Sequence, residues 1–404
     1  MNKMKIALSC PASLPATQFG GILFLAVDIA RELSEIGYDV TIYTTDLDFA
    51  NNPKTFNRNL PKSESIEQFK IKRSHVWFSF GLFFINPGMY KQILIDNPDI
   101  IHSIGVRSFQ SFIAALISKY KKIPLVISDQ GGLTTHPDLH NSNFIKKIFY
   151  KMQRPMIKFI INQSSEIIVA NKYEEKIFRE MSNLKKITNI RNGINLKDFQ
   201  KIEINFKEKY SIDSPFILFV GRFSKVKGVD TLIKSFNLIK SHTEIKNLKL
   251  IIMGVDFGFQ ENMFKLIREY KLEEKIKVIK KPPRKDVIAA YSESEFLVLP
   301  SRWELSPLTP LEGFVFKKPV ISTNAHGIPF TISDNKNAIL VEPDNPEKLS
   351  EAILTLVKDK NKKRELGLAG FNLVKDICNS TNMAKNTLEV YNSLINKTNK
   401  TTKN

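Results

Sequence analysis

Phe216-Ile217-Leu218-Phe219-Val220 is an uninterrupted run of five apolar residues that ends on Gly221. Successive strand residues point to opposite faces, so a strand with no polar position has to be covered on both sides, as in a parallel sheet between two layers of helices. Similar runs follow at 248–253, 276–279, 296–299 and 319–321, and helix-period stretches lie between them at about 229–240, 259–270 and 284–292. The same alternation occupies the first half of the chain. Strands are expected at 5–8, 40–43, 100–102, 125–127 and 167–170, and helices at about 22–35, closed by Gly37, and 109–120. Strand and helix alternating in this way define an α/β protein.

With 404 residues the chain exceeds what one core usually serves, and about 150 residues per domain suggests two domains. The polar stretch from about Asn195 to Ser214 is the natural linker. The expected division is 1–200, an N-terminal Rossmann-like domain; 201–380, a C-terminal one; and 381–404, a helix crossing back to the first domain with a frayed tail after Lys397.

Composition restricts the function classes. A hydrophobic fraction of 42% with 25% charged residues is that of a soluble globular protein, and the two cysteines, Cys10 and Cys378, have no metal-ligand spacing. Lys3 and Lys5 precede a run of only three apolar residues, Ile6-Ala7-Leu8, too short for a secretion signal, so a first strand is expected there. No stretch reaches the roughly twenty apolar residues that span a bilayer. A cytoplasmic location is expected. The formal net charge of +19 favours an anionic partner: nucleic acid, anionic lipid or a phosphorylated substrate. A non-catalytic or nucleic-acid-binding α/β protein is therefore one alternative class, but no helix-turn-helix, RNP-type strand or zinc finger is present, and nucleic acid is not the expected partner.

Two strand-to-helix loops carry the candidate chemistry. Gly221-Arg222-Phe223-Ser224-Lys225-Val226-Lys227-Gly228 follows the first apolar run. Gly221 permits close backbone approach, and Arg222 and Lys227 are suited to an anion, as a bidentate fork and a point charge. Solvated charges on a turn are the common alternative. The second loop, Pro300 to Gly313, follows the strand 296–299 and contains Glu304 and Glu312 with seven residues between them, and Leu308 and Thr309 open a helix whose free amides suit a phosphate. Acidic residues at a helix N-terminus also arise simply from the helix dipole.

Together these residues resemble the family 4 retaining glycosyltransferases of the GT-B fold, and the resemblance covers nearly the whole chain. It rests on the G-R-x4-K-G and E-x7-E segments, supported by Phe19-Gly20-Gly21, Ile100-Ile101-His102, Arg191-Asn192-Gly193-Ile194, Pro300-Ser301 and Gly327-Ile328-Pro329. The implied fold is two doubly wound, Rossmann-like parallel-sheet domains facing across a cleft. The implied activity is metal-independent transfer of a hexose, with retention, from a nucleotide-diphosphate sugar as co-substrate to a glycan, lipid-linked or other cell-envelope acceptor. No cofactor or metal is implied.

The resemblance also implies roles. Glu312 accepts the ribose hydroxyls, a task for an acceptor-only carboxylate. Glu304 binds the donor sugar at the reacting centre, and Arg222 and Lys227 neutralise the departing diphosphate in place of a metal. Leu308 and Thr309 amides and the Gly20-Gly21 turn complete the phosphate cradle, and Gly221, Gly254 and Gln130 join the donor-binding set. In front-face attack the two glutamates are binding groups rather than the acid and base of hydrolases. An epimerase or phosphorylase of similar architecture is the second alternative.

Three departures bear on the donor sugar. Asp129-Gln130-Gly131-Gly132 stands where many members place a His, Phe330 replaces a Glu, and Pro307 a Gly. His102 is expected to be structural. For the acceptor, the aromatic run from His75 to Ile85 is either cleft or core. The apolar residues from Phe144 to Ile161 recur at helical spacing among Lys146, Lys147, Lys151, Arg154 and Lys158, as in a helix at an anionic membrane surface. Packing of that apolar face on the sheet is the alternative.

Overall fold

The structure is a computed structural model that describes residues 3–48, 55–131, 133–137, 139, 144–182 and 185–401, with the side chains of 146 and 398–401 left undescribed. Gly132 lies outside the described residues. The chain divides into two compact units, one of residues 1–192 and 380–404, the other of 193–379.

The first unit is built on an eight-stranded sheet. Its strands are β1 (Lys5–Ser9), β2 (Asp39–Thr45), β3 (Ser63–Ile66), β4 (Phe69–Ser74), β7 (Ile100–Ile104), β8 (Leu125–Ser128), β9 (Glu166–Val169) and β10 (Ile187–Asn189), with β5 (Phe78–Phe80) and β6 (Phe83–Ile85) forming a separate hairpin. The order is β10-β9-β8-β7-β1-β2-β4-β3, parallel except for the edge pair β3 and β4. The order reverses between β1 and β7, and the chain leaving β1 reaches Gly20 and the helix Gly21–Glu35. Gly20 has φ +99°, a backbone region that side chains avoid.

The expected basic helix from Phe144 to Ile161 is two helices, Phe144–Met152 and Arg154–Gln163. Pro155 is the reason: it lacks an N–H to continue the first helix, but sits without cost in the first turn of the second. The helix at the C-terminus runs from Ser380 to Thr401 and continues past Lys397, where a frayed tail was expected. It belongs to the first unit, where the hydroxyls of Ser380 and Thr381 donate to Glu32 at 2.5 and 3.0 Å.

The second unit is a six-stranded, all-parallel sheet of β11 (Phe216–Val220), β12 (Lys249–Gly254), β13 (Ile276–Lys280), β14 (Leu297–Leu299), β15 (Val320–Thr323) and β16 (Ala338–Val341). Its order, β13-β12-β11-β14-β15-β16, is the 3-2-1-4-5-6 winding of a Rossmann sheet. The apolar runs are covered on both faces as their composition requires. Phe216, Leu218, Ile251, Met253, Leu297, Leu299 and Val320 enter one core. Their alternates Ile217, Phe219, Leu250, Ile252, Phe296, Val298 and Ile321 enter the other. Each such side chain taken from water contributes about 1.5–3 kcal/mol, which fixes strand register strongly. The chain enters and leaves this unit at adjacent points, since the Ile194 amide donates to the Cys378 carbonyl at 3.1 Å.

His102 on β7 is buried between Tyr391 of the last helix, 2.7 Å from Nδ1, and Ser128, 3.0 Å from Nε2. Burial lowers its pKa from 6.5 to about 3, so it is neutral and structural. Between those two values the unfolded chain holds a proton that the folded chain refuses, so this histidine costs stability as pH falls below 6.5. Unfolding of the native chain and of His102→Asn, followed from pH 7 to pH 4, should give a stability difference that changes by about 1.4 kcal/mol per pH unit. Parallel curves would contradict a buried neutral imidazole.

Candidate active site

In an open α/β sheet, ligands bind beyond the carboxyl ends of the strands where the winding reverses. In the second unit that point lies between β11 and β14. The two loops singled out by sequence are the ones leaving these strands: Gly221–Gly228 from β11 and Pro300–Leu308 from β14.

The backbone of the second loop is clamped from two sides. A Cβ on Gly228, whose φ is +67°, would lie 1.9 Å from the Pro300 carbonyl oxygen, and one on Gly327 would lie 1.7 Å from that of Leu305. Only glycine fits either place. The Gly327 amide donates to the Glu304 carbonyl at 3.0 Å, and the Thr323 hydroxyl to that of Ser301 at 2.6 Å. Arg302 ties the loop to the next helix, Val229–Ile239, through a bidentate pair with Asp230, both bonds 2.8 Å. The same guanidinium reaches Asp344 and the Lys225 carbonyl, while the Arg302 amide donates to the Val226 carbonyl at 2.7 Å.

The clamp brings three of the sequence-chosen residues together. Lys227 Nζ donates to Glu304 Oε1, which also accepts from the Ser301 hydroxyl at 3.0 Å. Arg222 is half-buried, stacked 4.8 Å from the Phe257 ring centroid, and close enough to feel the charge of Glu304. Burial lowers the Arg222 pKa and Glu304 opposes the shift, leaving the guanidinium charged at neutral pH. The helix Thr309–Val315 starts at Leu308 with no side-chain cap, so the amides of Leu308 and Thr309 have no intrahelical partner.

Glu312 belongs to a different set of contacts. It is buried, accepting from Arg284 Nη2 at 2.7 Å on one oxygen and from the Tyr291 hydroxyl at 2.6 Å on the other. Burial works against the Arg284 charge, but the Glu312 carboxylate more than compensates and the arginine pKa rises. Each carboxylate oxygen retains a lone-pair direction for a further donor. Sequence reasoning missed Arg284, Tyr291 and Arg302. The first two are seven residues apart on the helix Arg284–Glu293, hence two turns apart on one face, but nothing in that spacing distinguishes them from an ordinary amphipathic pair.

The two chosen glycines of this unit differ. A Cβ on Gly254 would lie 1.8 Å from the Gly221 carbonyl oxygen, so Gly254 is needed for the β12 end to pack on the β11 turn. Gly221 itself meets only the ring of Phe219, at 3.2 Å.

Gly20, Gly21 and Gln130 lie in the first unit. Gly21 opens a helix that no side chain caps. Gln130 is paired amide to amide with Asn192, at 3.1 and 3.4 Å, and both line a cavity of about 20 Å³ that His102, Ser128 and Thr387 also border. An Asp-x-Asp triplet occurs at Asp46-Leu47-Asp48, but Asp46 is buried and holds His75 and the Val76 amide. Among the described residues no three His, Cys, Asp or Glu side chains are grouped to hold a metal ion.

Two Rossmann-type parallel sheets, with a guanidinium, an ammonium and a carboxylate gathered at the switch point of the second, define a nucleotide-sugar-dependent transferase of the GT-B fold. Residues 200–372 match the model for glycosyl transferases group 1, and residues 19–198 that for glycosyltransferase family 4. The chain belongs to this family. It is 31% identical to an uncharacterized glycosyltransferase of Methanocaldococcus jannaschii, over 87% of this chain and 88% of that one. It is 21% identical to a D-inositol 3-phosphate glycosyltransferase of Corynebacterium diphtheriae, over 91% and 90% of the two chains. Among solved structures it resembles sucrose-phosphate synthase from Thermosynechococcus elongatus (TM-score 0.76, 18% identity, 98% of this chain and 100% of that one). A similar match is the Anabaena protein HepE in complex with UDP-glucose (TM-score 0.75, 16% identity, 96% and 100%).

Two outcomes follow from the geometry. Gly327→Ala should lower the melting temperature and cost about 1–3 kcal/mol, because the Leu305 backbone has to move; an unchanged melt would show that the loop is not clamped there. Arg284→Met should cost about 3 kcal/mol by leaving a buried carboxylate without its cation. Adding Glu312→Gln to that chain should recover most of the loss, and additive effects in this double-mutant cycle would refute the pairing.

Proposed function

We propose that this glycosyltransferase moves a hexose from a nucleotide-diphosphate sugar to a glycan or lipid-linked acceptor of the cell envelope. The reaction retains anomeric configuration and needs no metal ion. The observation that carries the reading is the grouping of Arg222, Lys227 and Glu304 beside the uncapped N-terminus of the helix Thr309–Val315. Two cations and free amides suit a diphosphate, whose charge grows as the sugar departs, and once Lys227 has exchanged Glu304 for the bound diphosphate these groups stabilise that charge in place.

In this reading the donor diphosphate draws Lys227 away from Glu304 and sits between Lys227, Arg222 and the amides of Leu308 and Thr309. The released Glu304 accepts hydrogen bonds from the hexose, and Glu312, held by Arg284 and Tyr291, accepts from the ribose. The acceptor hydroxyl attacks from the face that the phosphate leaves, and a phosphate oxygen takes its proton. Gly20 and Gly21 contribute backbone to the phosphate, and Gln130 contacts the sugar after parting from Asn192. The HepE complex with UDP-glucose supports a uridine donor. The acceptor side works in the cytoplasm at the inner face of the membrane.

A thermal-shift screen with UDP-, GDP- and ADP-sugars identifies the donor, because a ligand bound only by the native state raises the melting temperature. With that donor, Lys227→Met and Glu304→Gln should each lower kcat by about 10²-fold or more. A chelator should leave the rate unchanged, and NMR of the first product should show the anomeric configuration of the donor. An inverted product, or full activity in Lys227→Met, would overturn the proposal.

A further inference from the structure

The first unit carries an apolar surface that the transferase reading does not use. Trp77 is 75% exposed, and Phe78 and Leu82 of the β5–β6 hairpin are exposed with it. On the neighbouring helix Phe144–Met152, Phe144 is 76% and Met152 72% exposed, with Ile145 and Ile148 also open to solvent. The two segments form one patch, since Phe149 stands 4.2 Å from the Phe80 ring centroid and 5.7 Å from that of Phe83. Isolated exposed apolar residues are ordinary, whereas seven large ones on two packed elements mark an interaction surface.

Its charge identifies the partner. Lys147, Lys151, Arg154 and Lys158 are exposed along the two helices of this segment. The adjoining helix Phe109–Lys121 ends on exposed Lys119 and Lys121, with Lys119 Nζ 5.7 Å from the Phe159 ring centroid. Neither 75–91 nor 144–165 contains an Asp or Glu. Segments that carry only cationic charge around exposed Trp, Phe, Ile and Met suit an anionic bilayer. The rings and aliphatic chains enter the headgroup region while the lysines meet the lipid phosphates. Tryptophan favours that boundary because its ring is apolar and its N–H is polar.

We infer that the β5–β6 hairpin and the helix Phe144–Met152 together form a wedge that docks the first unit on an anionic lipid surface. The inference rests on the membrane location proposed above and on the basic run from Phe144, and adds the exposed β5–β6 hairpin packed against it as the other half of the docking surface. The protein carries its own reporter, because its two tryptophans differ: Trp77 lies in the wedge, while Trp303 is buried at 6% exposure.

The full chain is titrated at low salt with vesicles of phosphatidylcholine alone and of an equal mixture with phosphatidylglycerol. Expected are co-sedimentation and a blue shift of tryptophan emission with the mixed vesicles only, both weakened roughly tenfold or more by Lys147→Glu with Lys151→Glu. Co-sedimentation should fall by a similar factor in Trp77→Ser with Phe78→Ser, whose melting temperature and donor turnover in solution stay as in the native chain. Absence of binding to mixed vesicles, or equal binding to neutral ones, overturns the inference. So does a free chain that is dimeric and becomes monomeric in the Trp77→Ser, Phe78→Ser variant, which would assign the patch to a second copy. Donor turnover in solution separates this from the transferase reading, which stands or falls without vesicles.

Discussion

The site in the second unit depends on a steric constraint: the backbone of residues 300–305 passes between two positions where a side chain cannot exist. Gly228 meets the Pro300 carbonyl and Gly327 that of Leu305, each at a distance that excludes a Cβ. With Arg302 bidentate on Asp230, the loop leaving β14 and the turn leaving β11 become one rigid body. Lys227 and Glu304 meet because of this, although 77 residues separate them. Neither side chain holds the loop; the loop holds them.

The charges so gathered are compensated within the protein. Glu304 is matched by Lys227 and Glu312 by Arg284, so neither carboxylate is left alone in a low-dielectric place. The two pairs are about equally buried and differ in how the carboxylate oxygens are used. Lys227 and Ser301 both donate to one oxygen of Glu304. Glu312 receives Arg284 on one oxygen and Tyr291 on the other, so its orientation is set from both sides.

Much of the fold was legible in sequence because parallel strands covered on both faces are written as unbroken apolar runs. Phe216 to Val220 is such a run, and its alternate residues divide between two cores as the strand period requires. Strands without an unbroken apolar run were not legible. β3 and β4 read Ser-Glu-Ser-Ile and Phe-Lys-Ile-Lys-Arg-Ser, whereas β14, with only three residues, stood out because all three are apolar. The basic run at 144–161 showed its amphipathic period but not its interruption, because Pro155 is compatible with a helix start as well as a break.

Local periodicity and motif spacing are properties of the chain alone, and they were enough to specify the two α/β sheets, the family and the residue types at the strand ends. Tertiary structure alone decided which of those residues meet. Lys227 faces Glu304, whereas Glu312 is taken by Arg284 and Tyr291, and Gln130 by Asn192. It also decided that Trp77 and Phe144 stay in solvent while Phe84, in the same aromatic run, is buried. A side chain's partner depends on which strand ends the winding order makes adjacent and how closely their backbones approach, and neither distance is encoded in any one segment.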